Sequence, residues 1–534
     1  MKHFFLFFIV CFGNCSLLGQ QTMGLFFNNE QSENGYTLFS NNGISYLIDN
    51  CGFAVNSWES EYKSSNGLFI TKDGKLVRIG QVSGSTMIGG EGGIIERYSW
   101  SGNLDWSYRI ADEGFVVHHD MLLMPNGNIL ATVWQKITAQ QAVQEGRTTV
   151  VDFYNEQIWE IQPLANNQAS IVWRWSAIDH IIQDADASKL NFGIVADHPE
   201  LINLNYITEE LDLNHDWLHI NSIDYNEELD QIAVCSRNNS EVYIIDHSTS
   251  IQEATGSIGG KYGKGGDILY RYGNPEAYDH GAQTDRILYE AHDVSWINEG
   301  SFQGDFLIFN NKYIYNTRSQ IQIWNNPAVN GLYQFSDQTL FGDEEILWSY
   351  DEVGFYSSRM SSAQMMSNGN ILTTEGTSGE ISEITQTKEK VWKYINPVNR
   401  NGGPGIQSGT PQFNSLFKSV RYTADYIGFE NKDLSPGEPV ELSPDDIGCQ
   451  VYETTALDES LLDESNTYIV IDQRLICTTN GYSSKQVYII DVLGRMITKA
   501  HIDPSRNDID ISNLNTGVYF VFSIGEKSVR FYKN

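Results

Sequence analysis

Apolar and polar positions alternate over short runs along most of the chain, and turn residues separate these runs. Around Gly74, Gly127 and Gly369 an apolar strand leads into an Asp-Gly or Asn-Gly pair, and a second apolar strand follows. Both residues of such a pair adopt positive φ readily, which makes the pair a strong signal for a β-hairpin. Stretches with a helical period are scarce. The pattern predicts an all-β chain built from hairpins.

A second pattern recurs six times, as apolar segments that end in two aromatic residues separated by one position. The copies are Trp106-Ser107-Tyr108, Trp173-Arg174-Trp175, Tyr270-Arg271-Tyr272, Trp348-Ser349-Tyr350, Trp392-Lys393-Tyr394 and a degenerate copy that ends at Trp58. Repeats of this size that hold several short strands are typical of a β-propeller. Six copies predict six blades, which we place within residues 21–432.

The turn glycines provide a fixed spacing. Eight residues before Gly74, Gly127, Gly300 and Gly369 stand, in that order, Asn66, His119, His292 and Ser361. His219 begins an apolar run of the same kind. The innermost strand of each blade lines the central channel, so we expect the three histidines to converge at its mouth. The spacing selects His119 rather than its neighbour His118.

Charge, the N-terminal segment and the cysteines limit the possible binding partners and cellular compartments of the protein. The 534 residues include 34 Lys and Arg against 68 Asp and Glu, a net charge of −34. This balance argues against nucleic acid or an anionic membrane as a partner, so an anionic substrate needs local positive groups. Residues 1–20 are predicted to be a signal peptide, and their apolar run is too short to span a membrane. Cys51, Cys235, Cys449 and Cys477 remain after cleavage, match no zinc motif and leave their pairing open.

The C-terminal part changes in composition. Residues 433–466 are polar and acidic and predict a linker. Residues 467–534 alternate again and predict a small β-sandwich. The segments 488–495 and 514–519 resemble the type IX secretion sorting domain. That resemblance implies the secretion machinery as a partner and export through the periplasm of a Gram-negative bacterium, without membrane insertion.

The central region resembles the bacterial aryl-sulfate sulfotransferases. The resemblance lies in the segments 46–49, 118–120, 216–222, 236–237 and 291–294. It implies a six-bladed propeller that moves a sulfuryl group from a phenolic sulfate ester to a phenolic acceptor through a sulfurylated histidine. A ping-pong reaction of this kind uses neither a nucleotide sulfate donor nor a metal or other cofactor.

The same resemblance implies a role for each site residue. His292 is the expected nucleophile and His119 the expected acid and base. His219, Asn221 and Arg237 are expected to bind sulfate oxygens. The division of proton transfer between His119 and His219 stays open at this stage. Two other functions remain as alternatives: a metal-dependent, lactonase-like hydrolase and a non-catalytic binding propeller.

Overall fold

The computed structural model describes residues 21–534, apart from the following gaps: 83–88, 113, 207–214, 315, 337–339, 342–343, 446, 453–467, 472–473, 478–484, 492–494, 503–507, 515–516, 523–528 and 534. The predicted signal peptide lies outside the described residues. The chain divides into two compact units, Met1–Thr454 and Thr455–Asn534.

In its described part the first unit contains six antiparallel sheets of four or five strands, each of which forms one blade of a propeller. Blade 1 holds Gly35–Asn41, Ile44–Ile48, Ala54–Glu59 and Ser419–Thr423, and blade 2 holds Lys63–Ile70, Leu76–Gln81, Gly93–Tyr98 and Leu104–Arg109. Blade 3 holds Ala111–Asp112, Phe115–Leu123, Ile129–Ile137, Phe153–Leu164 and Gln168–Ser176, and blade 4 holds Ile220–Asn226, Gln231–Ser236, Glu241–Asp246 and Tyr270–Tyr272. Blade 5 holds His292–Trp296, Phe306–Ile314, Arg318–Trp324 and Ile346–Tyr350, and blade 6 holds Ser362–Met365, Ile371–Glu375, Glu380–Ile384, Lys390–Ile395 and Gly24–Asn28. The prediction of a six-bladed propeller is confirmed.

Strands from the two ends of the unit close the ring. Ser419–Thr423 pairs with Gly35–Asn41 in blade 1, and Gly24–Asn28 pairs with Lys390–Ile395 in blade 6. A disulfide joins Cys51 to Cys449 across a sequence separation of 398. The first part of the stretch that the sequence assigns to a linker is therefore tied to blade 1. Cys235 is a buried free thiol within blade 4.

The repeated aromatic residues lie on the last strand in the consecutive run of each blade, and blade 1 later receives Ser419–Thr423 at its other edge. In blades 2 to 5 this strand is the sheet's outer edge, and in blade 6 Gly24–Asn28 is added outside it. The indole rings of Trp58, Trp106, Trp175 and Trp392 are fully buried. Burial of side chains this large contributes much of the hydrophobic stabilisation of a β-rich core. The aromatic copies are therefore core positions of the repeat.

Short elements connect the blades. The described residues include the α-helix Ala139–Gln144, which Thr138 caps, and the 3-10 helices Ala177–His180, Val195–Asp197, Glu253–Thr255, Pro275–Tyr278, Gln283–Asp285 and Ile427–Phe429. Two-residue strands pair as Ile181–Ile182 with Ile202–Asn203 and as Val398–Asn399 with Gly403–Pro404. The described part of the second unit has one sheet of Tyr468–Ile471, Arg474–Cys477 and Asp508–Asp510, and another of Met496–Ile502, Lys485–Asp491, Gly517–Phe522 and Val529–Lys533.

The innermost strands of blades 3, 4 and 5 are irregular at the predicted histidines. The pairing register shifts between Val117 and Met121, between Ile220 and Ser222, and between His292 and Ser295. Near these shifts the φ angles of His119, His219 and Asp293 are 41°, 52° and 59°. A bulge with a left-handed residue redirects the side chains of a strand. We attribute the orientation of the three histidine side chains toward the channel to these irregularities.

Candidate active site

A cavity of about 440 Å³ lies where the innermost strands begin. Its wall includes His119 from blade 3, His292 from blade 5, and His219 and Arg237 from blade 4. Asn66, which the turn-glycine spacing placed at the equivalent position of blade 2, lines it as well. Four of the five predicted site residues thus share one cavity, although 173 residues separate the first from the last in sequence.

The hydrogen bonds of His292 define its tautomer. The Nδ1 atom lies 2.7 Å from Asn311 Oδ1 and 3.1 Å from the carbonyl oxygen of Glu290. Asn311 Nδ2 donates to two backbone carbonyls, so the amide oxygen is the atom that faces the ring. Both neighbours of Nδ1 are acceptors, and Nδ1 therefore carries the proton. The lone pair is on Nε2, which accepts a 3.2 Å bond from the Met360 N–H.

Electrostatics keep His292 uncharged. Its side chain is buried, and burial together with the positive charge of Arg237 lowers the pKa of His292 to about 3. Burial disfavours the charged form of a base, and a nearby cation acts in the same direction. At neutral pH the imidazole is a neutral group with an available lone pair, which is the form that acts as a nucleophile.

His219 is held by Asp216. The distance from its Nδ1 to Asp216 Oδ2 is 2.5 Å, and both residues line the cavity. Burial alone would raise the pKa of Asp216, but the electrostatic interaction with His219 and the hydrogen bond to it lower that pKa below the usual value. The carboxylate thus orients the imidazole and makes Nδ1 the donor, so that Nε2 is the ring nitrogen left for a ligand.

His119 packs closely against His219 and Phe417, which also line the cavity. Its ring centroid is 4.5 Å from that of His219 and 6.0 Å from that of Phe417. Gly90 covers one side: a Cβ atom on Gly90 would lie 2.0 Å from His119 Nε2. Burial, followed by the electrostatic interaction with His219, lowers the pKa of His119 well below its usual range. His119 is therefore also neutral at physiological pH.

Arg237 supplies the positive charge inside the cavity. Its Nη2 forms an ion pair with Glu290, which also pairs with Lys312. Its Nη1 donates to Asn238 Oδ1 at 3.0 Å. Two anchored nitrogens hold the planar fork in a fixed orientation, and the side chain remains 15% exposed toward the cavity. A guanidinium fixed in this way suits the oxygens of a sulfate or a phosphate.

Asn221 lies behind the cavity rather than in its wall. The side chain is fully buried, and Nδ2 donates at 2.8 Å to the carbonyl oxygen of Ala291, the residue before His292. Its Oδ1 has no hydrogen-bond partner in the described part of the chain. The structure therefore separates Asn221 from the other four predicted residues and places it where it braces the strand that carries the nucleophile candidate.

Several cavity residues carry no signal in the sequence pattern. Arg359 and Arg400 line the cavity, are exposed, and have no ion pair with any described residue. Met360, Phe417 and His215 also form part of the wall. Basic residues in a chain of net charge −34 are rare enough to draw attention, but their sequence gives no indication that loops bring them to the channel.

The family comparison agrees with this geometry. A family model described as arylsulfotransferase matches residues 21–406. The model of the secretion system C-terminal sorting domain matches residues 465–532, so the tail is a type IX sorting domain and the protein is exported to the cell surface or the medium. No curated protein matches the chain.

Solved structures with similar architecture are distant in sequence. A protein of unknown function from Bacteroides caccae has 11% identity and a TM-score of 0.37, with 73% of this chain and 99% of that chain covered. Virginiamycin B lyase from Staphylococcus aureus has 11% identity and a TM-score of 0.34, with 71% and 90% covered. The β-propeller domain of Cps50 from Myceliophteria thermophila has 9% identity and a TM-score of 0.35, with 71% and 87% covered. All three scores lie below 0.5, so the fold assignment rests on the sheet order.

Two further features concern the residues that the structure describes. No helix there is long and apolar enough to cross a membrane. No group of three or more His, Cys, Asp or Glu side chains in the same ranges is arranged to hold a metal ion.

Proposed function

Because the chain belongs to the arylsulfotransferase family, we propose that it transfers a sulfuryl group from a phenolic sulfate ester to a phenolic acceptor by way of a sulfurylated His292. The observation that carries this proposal is the state of His292: neutral, with Nδ1 bound to Asn311 and the Nε2 lone pair at the wall of a cavity that also holds Arg237. A covalent intermediate divides one difficult transfer into two easier ones.

In the first half-reaction Nε2 of His292 attacks sulfur. A nitrogen–sulfur bond forms, the bond between sulfur and the phenolic oxygen breaks, and the electron pair leaves with the phenolate. By analogy with phosphoryl transfer, the transition state is loose and its charge lies on the peripheral oxygens. Catalysis then depends on positioning and on charge stabilisation more than on a strong nucleophile.

Arg237 and His219 are the groups we assign to the sulfuryl oxygens. The fork of Arg237 is anchored by Glu290, and the ring of His219 by Asp216. The N–H of Met360 bonds to Nε2 of His292 here, and it is released toward an incoming sulfuryl oxygen when Nε2 binds sulfur. Asn221 acts as a positioning residue through Ala291 and not as an oxygen ligand.

In the second half-reaction an acceptor phenol attacks the sulfurylated histidine. The new sulfur–oxygen bond forms as the bond between sulfur and Nε2 of His292 breaks, and that electron pair returns to Nε2. We assign the uptake of the hydroxyl proton to His119, a neutral imidazole in the same cavity. The same residue protonates the departing phenolate in the first half-reaction. In this scheme one imidazole acts as the acid in the first half-reaction and as the base in the second.

Mass spectrometry after mixing with an aryl sulfate donor tests the proposal. We expect an adduct of about 80 Da, one SO₃ group, on His292. The His292→Asn variant should lack it, and His198→Asn should keep it because His198 lies outside the cavity and bonds to Glu200 at 3.0 Å. An adduct on another residue, or turnover without any adduct, would contradict the assignment to His292. Loss of turnover after EDTA treatment would favour the metal-dependent alternative.

A further inference from the structure

A row of buried polar atoms runs away from the cavity behind His119. Its Nδ1 lies 2.8 Å from Nδ1 of His118, and Nε2 of His118 lies 3.0 Å from Glu156 Oε2. The imidazole of His118 and the carboxylate of Glu156 are both 1% exposed or less. The row thus joins a cavity residue to a carboxylate that solvent does not reach.

The surroundings of His118 and Glu156 hold the two side chains in place. His118 stacks on Trp134 with ring centroids 4.1 Å apart and planes 8° from parallel. Glu156 Oε1 accepts bonds from the Trp134 indole at 3.0 Å and from the Ile220 N–H at 2.9 Å. His118 Nε2 and Glu156 Oε2 form no hydrogen bond of regular geometry with any described residue, so each has the other as its polar neighbour.

Buried polar groups without an obvious structural partner call for an explanation. A buried carboxylate favours a proton on the nitrogen that faces it, here Nε2 of His118. Between the two imidazoles, Nδ1 faces Nδ1 across 2.8 Å, so one of these nitrogens donates and the other accepts. Moving that single proton from one Nδ1 to the other reverses the donor. The row therefore has two proton arrangements with the same heavy-atom positions.

The proposed reaction requires His119 to exchange protons with two phenols, and the row of polar atoms behind it offers a route for those protons. His119 must give a proton to one phenolate and take a proton from another phenol, yet burial and the neighbouring histidines disfavour its imidazolium form. We propose that Glu156 and His118 form a proton relay that lets His119 act as acid and base while it stays neutral. The inference rests on the proposed sulfuryl transfer and extends it with two positioning residues.

The protons balance over the cycle. Before the first half-reaction His118 is an imidazolium beside the Glu156 carboxylate, and His119 carries its proton on Nε2. The departing phenolate takes that proton, while the Nδ1 proton of His118 passes to Nδ1 of His119 and leaves His118 neutral. In the second half-reaction the acceptor phenol gives its proton to Nε2, and the Nδ1 proton returns to His118. In this scheme His118 is the cation only before the first half-reaction and after the second, and the neighbouring carboxylate favours that charged form.

The test compares two donors on one variant. In Glu156→Gln the amide retains an oxygen for Trp134 and Ile220 but removes the negative charge. We expect kcat/KM for phenyl sulfate, whose phenolate is a poor leaving group, to fall on the order of 10²-fold. For 4-nitrophenyl sulfate, whose phenolate leaves without protonation, the fall should be only a few-fold. His118→Asn should show the same selective loss.

The ratio of kcat/KM for the two donors distinguishes loss of the relay from structural damage. Both donors are assayed on one preparation, so the folded fraction cancels. Asp267→Asn is the matched control, since it removes the carboxylate that lies 2.8 Å from the buried His180, whose ring is parallel to that of Trp175. That variant should leave the ratio unchanged. Equal losses with both donors in Glu156→Gln and His118→Asn would overturn the relay. Failure of the unaltered protein to form the His292 adduct would instead overturn the proposed function.

Discussion

Asn311 Oδ1 lies 2.7 Å from Nδ1 of His292 and fixes which ring nitrogen carries the proton. The amide is itself fixed, because its nitrogen donates to the carbonyl oxygens of Ser357 and Met360, each at 2.9 Å. Asn311 lies on the strand that pairs with the strand of His292, and it connects the loop before blade 6 to the nucleophile candidate in blade 5. Removing this contact tests how much the tautomer of His292 contributes to its reactivity.

We expect Asn311→Ala to lower the rate of His292 sulfurylation on the order of 10²-fold, because the ring loses both its orientation and its preferred tautomer. Single-turnover kinetics with 4-nitrophenyl sulfate measure this step. The matched control is Asn310→Ala: Asn310 is equally buried and bonds to the backbone of Tyr289 and Ile287, not to His292. Equal rates for the two variants would contradict the role of Asn311.

Gly90 sets the space available to His119. A Cβ at this position would lie 2.0 Å from both Cε1 and Nε2 of the imidazole, so Gly90→Ala must displace the ring. We expect kcat/KM to fall by about tenfold or more. The control is Gly102→Ala, because Gly102 has a similar φ of 84° against 91° for Gly90 but has no atom within 4 Å of its Cβ position. Similar losses of activity in both variants would point to backbone strain instead.

The sequence predicts the parts of this molecule that repeat. Six aromatic copies identify one strand in each of six blades, and the turn-glycine spacing places His119 and His292 at one level of the channel. Both signals work because each blade must bury the same face and close the same hairpin. The choice of His119 over His118 also follows from spacing, since His119 lines the cavity and His118 lies behind it.

Features that join distant segments could not be predicted in the same way. Phe417 and Arg400 reach the cavity because the chain returns to blade 1, and no repeat marks them. The Cys51–Cys449 disulfide spans 398 residues, and sequence alone left the pairing open. Asn221 matches the family pattern, yet only the fold reveals that its amide faces Ala291.

Arg359 and Arg400 should attract anionic donors to the cavity. Both are exposed residues of its wall and have no ion pair within the described ranges. We expect Arg359→Gln and Arg400→Gln each to raise KM for an aryl sulfate by about threefold without a change in kcat, an effect typical of an exposed charge contact. The increase should shrink at high salt. Arg109→Gln, at an exposed position outside the cavity, should leave KM unchanged. A fall in kcat would contradict a role limited to capture.

Lys418 forms ion pairs with two carboxylates in a second cavity beside the innermost strands. Its Nζ lies 3.0 Å from Asp120 Oδ2 and 2.8 Å from Asp293 Oδ1, and all three residues line a separate cavity of about 490 Å³. Each carboxylate follows directly after a histidine of the first cavity, so the ion cluster supports both strands that carry His119 and His292.

We expect Lys418→Met to destabilise the propeller by about 3–5 kcal/mol, because it leaves the buried carboxylate of Asp120 and the partly buried carboxylate of Asp293 without their cation. Lys136→Met removes an ion pair that is about half exposed and should cost much less, because solvent screens such a pair. Burial already raises the pKa of Asp120, so protonation at low pH should recover part of the loss in Lys418→Met. Urea unfolding at pH 7 and pH 5 measures both effects, and a loss no larger than that of Lys136→Met would contradict the cluster's role.

His247 should make the stability of the propeller depend on pH. It bridges blades 3 and 4, with Nδ1 2.7 Å from Asp230 Oδ1 and Nε2 3.1 Å from Glu160 Oε2. Burial alone would lower the pKa of His247, but the hydrogen bonds to Asp230 and Glu160 raise it to about 9. A base whose pKa is higher in the folded state binds more protons there, so its contribution is complete below the unfolded pKa and is lost as the pH rises.

The window for this loss extends from about pH 6.5, the usual pKa of histidine, to about pH 9. Since one pKa unit corresponds to about 1.4 kcal/mol, the bridge contributes up to about 3 kcal/mol at pH 6. We expect His247→Asn to be less stable than the unaltered protein at pH 6 and the gap to narrow steadily toward pH 9.5, as measured by urea unfolding at each pH. His198→Asn, which alters an exposed histidine paired with Glu200, should show no such narrowing. A gap between His247→Asn and the unaltered protein that stays constant across this range would show that His247 contributes packing against Trp173 and Tyr225 rather than charge.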